Sequence, residues 1–242
     1  MESLYNVTLL GLFFGIIGTT LGGFVGVFIN FKSNKFISII LELAAGLMTS
    51  IICFDLIPHS LMFISITNLI FEILLGIIIM IYCNNFVNKK IVRYNVSSNL
   101  LKVGIVVGIG LAIHNFPEGL AIGAGFEASS KLGLSLAIAI CIHDFPEGMA
   151  MAIPMKQGGM NRKKVILYTM LSGISTGIGA LFGSTIGNIS NEMIGASLGF
   201  AAGAMLYIIV CEILPESNNL YRGRKSKLGY ILGFILGLMV IE

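Results

Sequence analysis

Long apolar runs follow one another along almost the entire chain, separated by short polar segments. There are eight, and all but the last have the roughly 20 residues that a helix needs to cross the hydrocarbon core of a bilayer. The runs are continuous rather than alternating, which favours helices over the strands of a membrane barrel. The predicted spans are residues 5–30, 36–57, 63–87, 102–124, 132–154, 163–186, 193–214 and 228–241, of which the last is short.

The composition agrees with this pattern. Hydrophobic residues make up 56% of the 242 positions and charged residues 11%, and the mean hydropathy is +0.93. Soluble domains carry about 25% charged residues. We therefore predict an all-α, multi-pass protein of the cell membrane, with residues 1–242 forming a single transmembrane domain.

The positions of lysine and arginine indicate the orientation. Of the 15 basic residues, all but Lys131 fall in the loops after spans 1, 3, 5 and 7. Because basic loops remain in the cytoplasm, both termini are predicted to lie outside it. No loop has the basic and aromatic density of a nucleic-acid surface, so no nucleic-acid partner is expected. The basic loops contain Lys32, Lys35, Lys89, Lys90, Arg93, Lys102, Lys156, Arg162, Lys163, Lys164, Arg222, Arg224, Lys225 and Lys227.

An internal repeat relates the two ends of the chain. AAGLMTSIICFDLIPHS from Ala44 matches AAGAMLYIIVCEILPES from Ala201, and TTLGGFVG from Thr19 matches TGIGALFG from Thr176, both at an offset of 157 residues. Spans 1 and 2 thus resemble spans 6 and 7. Five crossings separate the partners, so they run in opposite directions. Inverted repeats of this kind are typical of transporters with a binding site near the bilayer midplane.

One hexapeptide occurs twice between the repeated segments, as HNFPEG at 114–119 in span 4 and HDFPEG at 143–148 in span 5. Residues four apart share one face of a helix, so each histidine lies beside its glutamate. The proline in each motif predicts a kink next to these side chains. Because the two spans are antiparallel, we expect the motifs to face each other. The candidate ligands are His114, Glu118, His143 and Glu147, with Asn115 and Asp144 near the same stripe.

Acidic side chains at this depth need a counter-charge. A charged residue at the bilayer centre costs about 2.5–3.5 kcal/mol even on the gentler insertion scales, and spans 4 and 5 have no lysine or arginine except at their ends. A divalent cation would compensate the carboxylates, and imidazole with carboxylate suits zinc and its transition-metal neighbours. Asp55 and Glu212 hold equivalent positions in the repeat near opposite membrane faces. They are either acids that line the metal's path or solvated helix ends, and the pathway role is the favoured prediction.

Two other classes of protein stay open at this point. An intramembrane metalloprotease would also place histidines and acids in a helix, but it would be expected to contain HExxH. Here the spacing is HxxxE in both motifs. A membrane protein that binds metal without transporting it would keep the same ligands, and the residues alone do not distinguish it from a transporter.

The two hexapeptides, together with the AAG-M…D/E-x-(I/L)-P elements of spans 2 and 7, closely resemble the ZIP (Zrt-, Irt-like protein) metal transporters. The resemblance covers nearly the whole chain. It implies uptake of Zn2+, or of Fe2+, Mn2+ or Cd2+, into the cytoplasm, with no enzymatic activity and no prosthetic group. It also implies eight helices in a 3+2+3 arrangement, often as a homodimer. Access would alternate by rocking of the repeated helices against the bundle that holds spans 4 and 5.

The resemblance further implies two adjacent metal sites. The principal site consists of His114, Glu118, His143 and Glu147. The second site consists of Asn115, Glu118, Asp144 and Glu147, with the two glutamates shared. Met48 matches a position that contributes to the site in some members. Many bacterial relatives have a glutamate in span 6 where this chain has Thr176, so occupation of the second site is in question.

Overall fold

The computed structural model describes residues 4–28, 33–91 and 99–241. Within these residues, eight long helices each contain most of one predicted span, and the all-α prediction is confirmed. Residues 29–30 of span 1, and the loop residues Lys32 and Arg93, lie outside the described residues. The helices are α1 (Leu4–Phe28), α2 (Asn34–Leu61), α3 (Ile66–Ile91), α4 (Asn99–Ala128), α5 (Ser130–Gln157), α6 (Arg162–Gly187), α7 (Asn191–Leu220) and α8 (Arg224–Ile241).

Six of these helices are long and apolar enough to cross a membrane, over the part of the chain that the structure describes. They are α1, α2, α3, α5, α6 and α7. Helices α4 and α8 are not among them, so their crossing stays a prediction. Helix α8 has 18 residues, and its first turn is basic.

Helices α2 and α7 are each interrupted by one π-helical turn. The two turns, Ile52–Leu56 and Ile209–Ile213, are 157 residues apart, the offset of the sequence repeat. Each turn contains an acid, Asp55 or Glu212, and a proline follows three residues later. Proline cannot donate to the carbonyl four residues before it and its ring clashes there, so the helix accommodates one extra residue in that turn.

The helices pack as two groups of four. The first group, α1, α4, α5 and α6, and the second group, α2, α3, α7 and α8, make their most extensive contacts internally. Contacts between the groups, chiefly of α4 with α7 and of α2 with α5, are less extensive. The predicted 3+2+3 arrangement follows the repeat along the chain and does not say which of the repeated helices pack on spans 4 and 5. Helices α1 and α6 do so, α1 chiefly on α5 and α6 chiefly on α4.

Glycine makes this close packing possible in the first group. A Cβ on Gly119 in α4 would collide with the carbonyl oxygen of Thr176 in α6, and a Cβ on Gly148 in α5 would collide with that of Thr19 in α1. Small residues let helix backbones come into direct contact. The two glycines hold the same place in the two hexapeptides, and the two threonines are 157 residues apart, so one contact is made twice.

The second group contains a similar pair of contacts. A Cβ on Gly46 in α2 would collide with the carbonyl oxygen of Tyr230 in α8, and a Cβ on Gly203 in α7 would collide with that of Ile73 in α3. The two glycines are again 157 residues apart, and so are the two residues that they contact. The offset seen in the sequence therefore relates helix contacts within both groups.

The largest fully buried side chains come mainly from α2, α4, α5 and α7, so the apolar core lies where the two groups meet. They include Leu47, Met48, Ile51, Ile52, Leu56, Ile122, Leu136, Ile140, Leu198, Met205 and Ile208.

Candidate metal centre

The two hexapeptides lie in the middle of α4 and α5, and both helices continue without a break past Pro117 and Pro146. The first group of helices therefore carries the histidines, glutamates and Asp144. The last residue of each motif is a glycine that contacts a neighbouring helix: Gly119 contacts α6, and Gly148 contacts α1. These contacts set the distance between α4 and α6 and between α5 and α1.

The two motifs contact each other through their histidines and glutamates. His114 Nε2 lies 2.9 Å from Glu147 Oε2, and His143 Nε2 lies 2.9 Å from Glu118 Oε1. Each histidine is thus paired with the glutamate of the other motif, rather than with the one four residues along its own helix. All four side chains are buried, with at most 4% of any residue exposed.

Four residues are close enough to hold one metal ion. Glu118, His143, Asp144 and Glu147 each offer one ligand atom, and these atoms all lie within 4.8 Å of one another. Asp144 is included and His114 is not, although His114 is hydrogen-bonded to Glu147. One imidazole and three carboxylates form a donor set that zinc accepts.

Several oxygen atoms of this cluster have no hydrogen-bond partner among the described residues. They are Glu118 Oε2, Glu147 Oε1 and both carboxylate oxygens of Asp144. The nearest imidazole nitrogen to Asp144 that the structure gives, His143 Nε2, is 3.6 Å from Oδ1, which is too long for a hydrogen bond. Buried charged groups are normally paired or coordinate a metal, so the cluster favours a cation.

Asn115, Thr176 and Met48 are placed differently. The Asn115 amide donates to the carbonyl of Ser172 in α6 over 3.2 Å, so it takes part in helix packing. Thr176 is fully buried, and α6 contains no acidic residue. Met48 is fully buried in α2, in the other group of helices. A second metal site would therefore have no carboxylate from α6.

A cavity of about 490 Å³ begins at the cluster, where His114 and Glu147 line it. Its wall also includes Asn34, Gln157 and Leu220, which are the first residue of α2 and the last residues of α5 and α7. These three helix ends adjoin loops that the basic residues predict to be cytoplasmic. The cavity therefore joins the cluster to the predicted cytoplasmic side.

The two predicted pathway acids lie outside the four-residue cluster. Glu212 lines the cavity, and its Oε2 lies 3.8 Å from the position that a Cβ on Gly110 would occupy, one helical turn from His114. Asp55 is buried but is not part of the cavity wall. The carbonyl of Asp55 accepts a hydrogen bond from His59 Nδ1 over 2.8 Å.

The interpretation of Glu42 as a helix-end or loop residue, which its sequence position suggested, is wrong, because it lies within α2 and is only 1% exposed. Its carboxylate forms an ion pair with Lys227 of α8. An acid inside an apolar run was a signal of burial, but its partner is 185 residues away. The π-helical turns had a clearer signal, since each acid in the repeat is followed three residues later by proline.

Curated proteins of similar sequence include bacterial zinc transporters. The zinc transporter GufA of Myxococcus xanthus is 37% identical over 133 residues, which are 54% of this chain and 52% of that protein. The zinc transporter ZupT of Clostridium perfringens is 40% identical over 139 residues, which are 57% of this chain and 49% of that protein. The chain thus spans about half the length of these two relatives. The zinc transporter ZupT of Chlorobium phaeovibrioides is 32% identical over 255 aligned positions, which cover 96% of each protein.

The fold and the site together define a helical membrane protein with a buried cluster of imidazole and carboxylate groups. The family described as ZIP Zinc transporter matches residues 85–241, more than half of the chain. The chain belongs to this family of transporters, as the paired motifs indicated.

Proposed function

We propose that the protein transports divalent transition-metal ions, most readily Zn2+, across the cell membrane into the cytoplasm. The observation that carries this proposal is the buried group of Glu118, His143, Asp144 and Glu147, which adjoins a cavity reaching the ends of three helices. The zinc transport named for the relatives supports zinc as the substrate. Fe2+, Mn2+ and Cd2+ are further substrates, because similar donor sets bind neighbouring metals.

We infer that residues 1–242 form one polytopic domain of eight crossings in a 3+2+3 arrangement. Spans 1–3 are related to spans 6–8 by an inverted repeat, and both termini lie outside the cytoplasm. The shared offset of the π-helical turns and of the glycine contacts supports the repeat. The basic loops support the orientation, and tilting would let the short α8 cross. The family resemblance extends the proposal to a homodimer.

The ligands proposed for the transported ion are His114, Glu118, His143, Asp144 and Glu147. The Nε2–H of each histidine donates to a glutamate carboxylate of the other motif. A metal would replace these hydrogen bonds, and any proton on a ligand nitrogen would have to leave. Asn115 and Met48 are less direct contributors, since Asn115 bonds Ser172 and Met48 lies in α2. With no acid in α6, we propose one ion per chain.

The proposed route begins outside at Asp55, passes the ligands, and continues past Glu212 into the cavity. Opening alternates between the two sides by relative movement of the two groups of helices. Their internal contacts occur in repeat-related pairs, which supports treating each group as a unit. The less extensive contacts between α2 and α5 and between α4 and α7 are where movement costs least.

Uptake of metal into vesicles tests the transport claim. Purified protein in liposomes should take up Zn2+, and Glu118→Ala or Glu147→Ala should lower uptake by at least about tenfold, because each loses a ligand. Glu192→Ala is the matched control, since Glu192 is an exposed acid at the start of α7, and its uptake should stay at the original level. Binding of zinc without uptake by the unaltered protein would exclude transport.

A further inference from the structure

Glu42 belongs to a polar network that connects three helices of the second group. Its Oε1 accepts a hydrogen bond from Ser217 Oγ of α7 over 2.9 Å and pairs with Lys227 Nζ of α8. Its Oε2 is buried and has no hydrogen-bond partner within the described part of the chain. A buried carboxylate is costly unless paired, and its partner here, the half-exposed Lys227, joins α2 to α8 at the edge of the buried network.

Three buried serines extend the network. Ser38 Oγ lies 2.8 Å from Ser217 Oγ and 2.6 Å from Ser226 Oγ, and the last two are 3.2 Å apart. All three are fully buried. We call Glu42, Lys227, Ser38, Ser217 and Ser226 the Glu42 network. It joins α2, α7 and α8 where the chain passes from α7 into α8.

The network lies beside the wall of the cavity without being part of it. Helix α2 contributes Ile37 and Leu41 to the wall, and each is followed directly by a member of the network. Helix α7 contributes Pro215 and Glu216, and Ser217 follows. Successive residues of a helix point about 100° apart. The network therefore connects the two wall helices on a face turned away from the cavity.

The repeat supplies an internal comparison. At an offset of 157, Ser217 corresponds to Ser60 and Ser38 to Gly195. Ser60 Oγ donates to the Gly195 carbonyl over 2.7 Å. Ser217 Oγ lies 3.3 Å from the equivalent Ser38 carbonyl, but its hydroxyl proton is directed to Glu42 Oε1 over the shorter distance of 2.9 Å. The two ends thus share one contact between equivalent helices.

An ion pair, by contrast, occurs at only one end of this comparison among the described residues. Glu42 corresponds to Gly199, and Lys227 corresponds to Ile70. Glu72 of α3 lies against Gly199, but within the described part of the chain it has no basic partner, so the helix packing at that end is reached without an ion pair. The ion pair is present at the end where the cavity lies, which indicates a role related to the cavity rather than to packing in general.

We propose that the Glu42 network is a positioning device that sets the width of the cavity by holding α2, α7 and α8 together behind its wall. Glu212, on α7, keeps its distance from His114 through the same connection. This inference rests on the proposed function only in taking the cavity as the ion's route. The network touches neither the ligands nor the ion.

Cys211 lines the cavity and is exposed, so its reactivity reports the cavity's width without any metal. In protein with Cys53, Cys83 and Cys141 replaced by alanine, the rate at which a hydrophilic maleimide labels Cys211 would be measured in detergent. Glu42→Gln and Lys227→Met should each change this rate by about fivefold or more, because the wall helices are released. Lys227→Arg keeps the ion pair and should stay within about twofold, as should the control Ser60→Ala at the other end of the repeat.

The double variant Glu42→Gln/Lys227→Met separates positioning from the simple cost of an unpaired charge. Removing both charges relieves that cost, yet positioning would still be lost, so the labelling rate should stay changed. A return to the original rate in the folded double variant would overturn the proposal, as would an equal change in Ser60→Ala. Circular dichroism and thermal unfolding identify folded variants, and Lys227→Arg and the double variant suffice if a single variant does not fold. Zinc uptake, measured separately, leaves the transport claim independent of this result.

Discussion

The difference between the two hexapeptides lies in one residue, Asn115 against Asp144, and the structure gives these residues different surroundings. The Asn115 amide nitrogen donates to a carbonyl of α6, and only its Oδ1 is unpartnered among the described residues. Asp144 lies in the group that could hold a metal, and both of its carboxylate oxygens are unpartnered there. An amide suits a packing contact because it can donate. A carboxylate without a donor is stabilised by a cation.

Changing Asp144 to Asn would make the two motifs identical and tests this asymmetry. We expect Asp144→Asn to weaken zinc binding by at least about tenfold, because a charged ligand is lost. Asn115→Ala should weaken it much less, since that side chain is used for packing. Equilibrium binding of zinc to purified protein, with metal content per chain, would measure both. Equal losses, or two ions per chain in the unaltered protein, would contradict a single site centred on Asp144.

At the scale of helices, glycine and proline determine how the site is assembled. Proline after each acid of the repeat accompanies a π-helical turn, and glycine after each glutamate of the motifs allows backbone contact with a neighbouring helix. Pro117 and Pro146 leave α4 and α5 continuous. Proline therefore accompanies a π-helical turn in α2 and α7 but leaves the α-helix continuous in α4 and α5.

Two glycines of α4 provide a matched pair for testing the packing. Gly119→Ala should lower the free energy of unfolding by about 1–3 kcal/mol, because the new methyl group meets the carbonyl oxygen of Thr176. Gly110→Ala meets nothing closer than 3.8 Å and should be neutral or stabilising by up to about 1 kcal/mol, since alanine favours helices. Thermal unfolding in detergent compares them. Equal effects would show that the contact with α6 does not limit stability.

At the scale of the whole molecule, both groups of helices contribute to the cavity wall, whereas the proposed site lies within the first group alone. The proposed ligands all lie on α4 and α5, while α2 and α7 complete the cavity wall. Relative movement of the groups would therefore change which side of the membrane the ligands meet, with little change within either group.

A cross-link between the groups tests this movement. In protein whose other cysteines are replaced, a short bifunctional thiosulfonate, which forms a disulfide with each thiol, should join Gly110→Cys in α4 to Cys211 in α7 and abolish zinc uptake. Reduction of the two disulfides should restore it. Both positions line the cavity. The control joins Thr49→Cys to Tyr230→Cys within the second group, where the two side chains are hydrogen-bonded. If the control link abolished uptake and the link between α4 and α7 did not, the division into two moving groups would be wrong.

The orientation can be tested with two exposed lysines. In a cysteine-free background, Lys131→Cys should react with a membrane-impermeant maleimide on intact cells, because its loop is predicted to lie outside. Lys164→Cys, in a loop predicted to be cytoplasmic, should react only after the cells are opened. The reverse result would invert the proposed topology and with it the direction of the cavity.

The sequence by itself determined the eight helices, the offset of 157, the duplicated HxFPEG motifs and the family, because hydrophobic runs and short motifs are local properties of the chain. It did not determine which histidine pairs with which glutamate, since that depends on how α4 and α5 are rotated against each other. The pairing of Glu42 with Lys227, and the grouping of α1 and α6 with α4 and α5, were likewise decided only by tertiary packing. These contacts join residues far apart in the chain, and glycine contacts between helices, rather than any periodic pattern, bring them together.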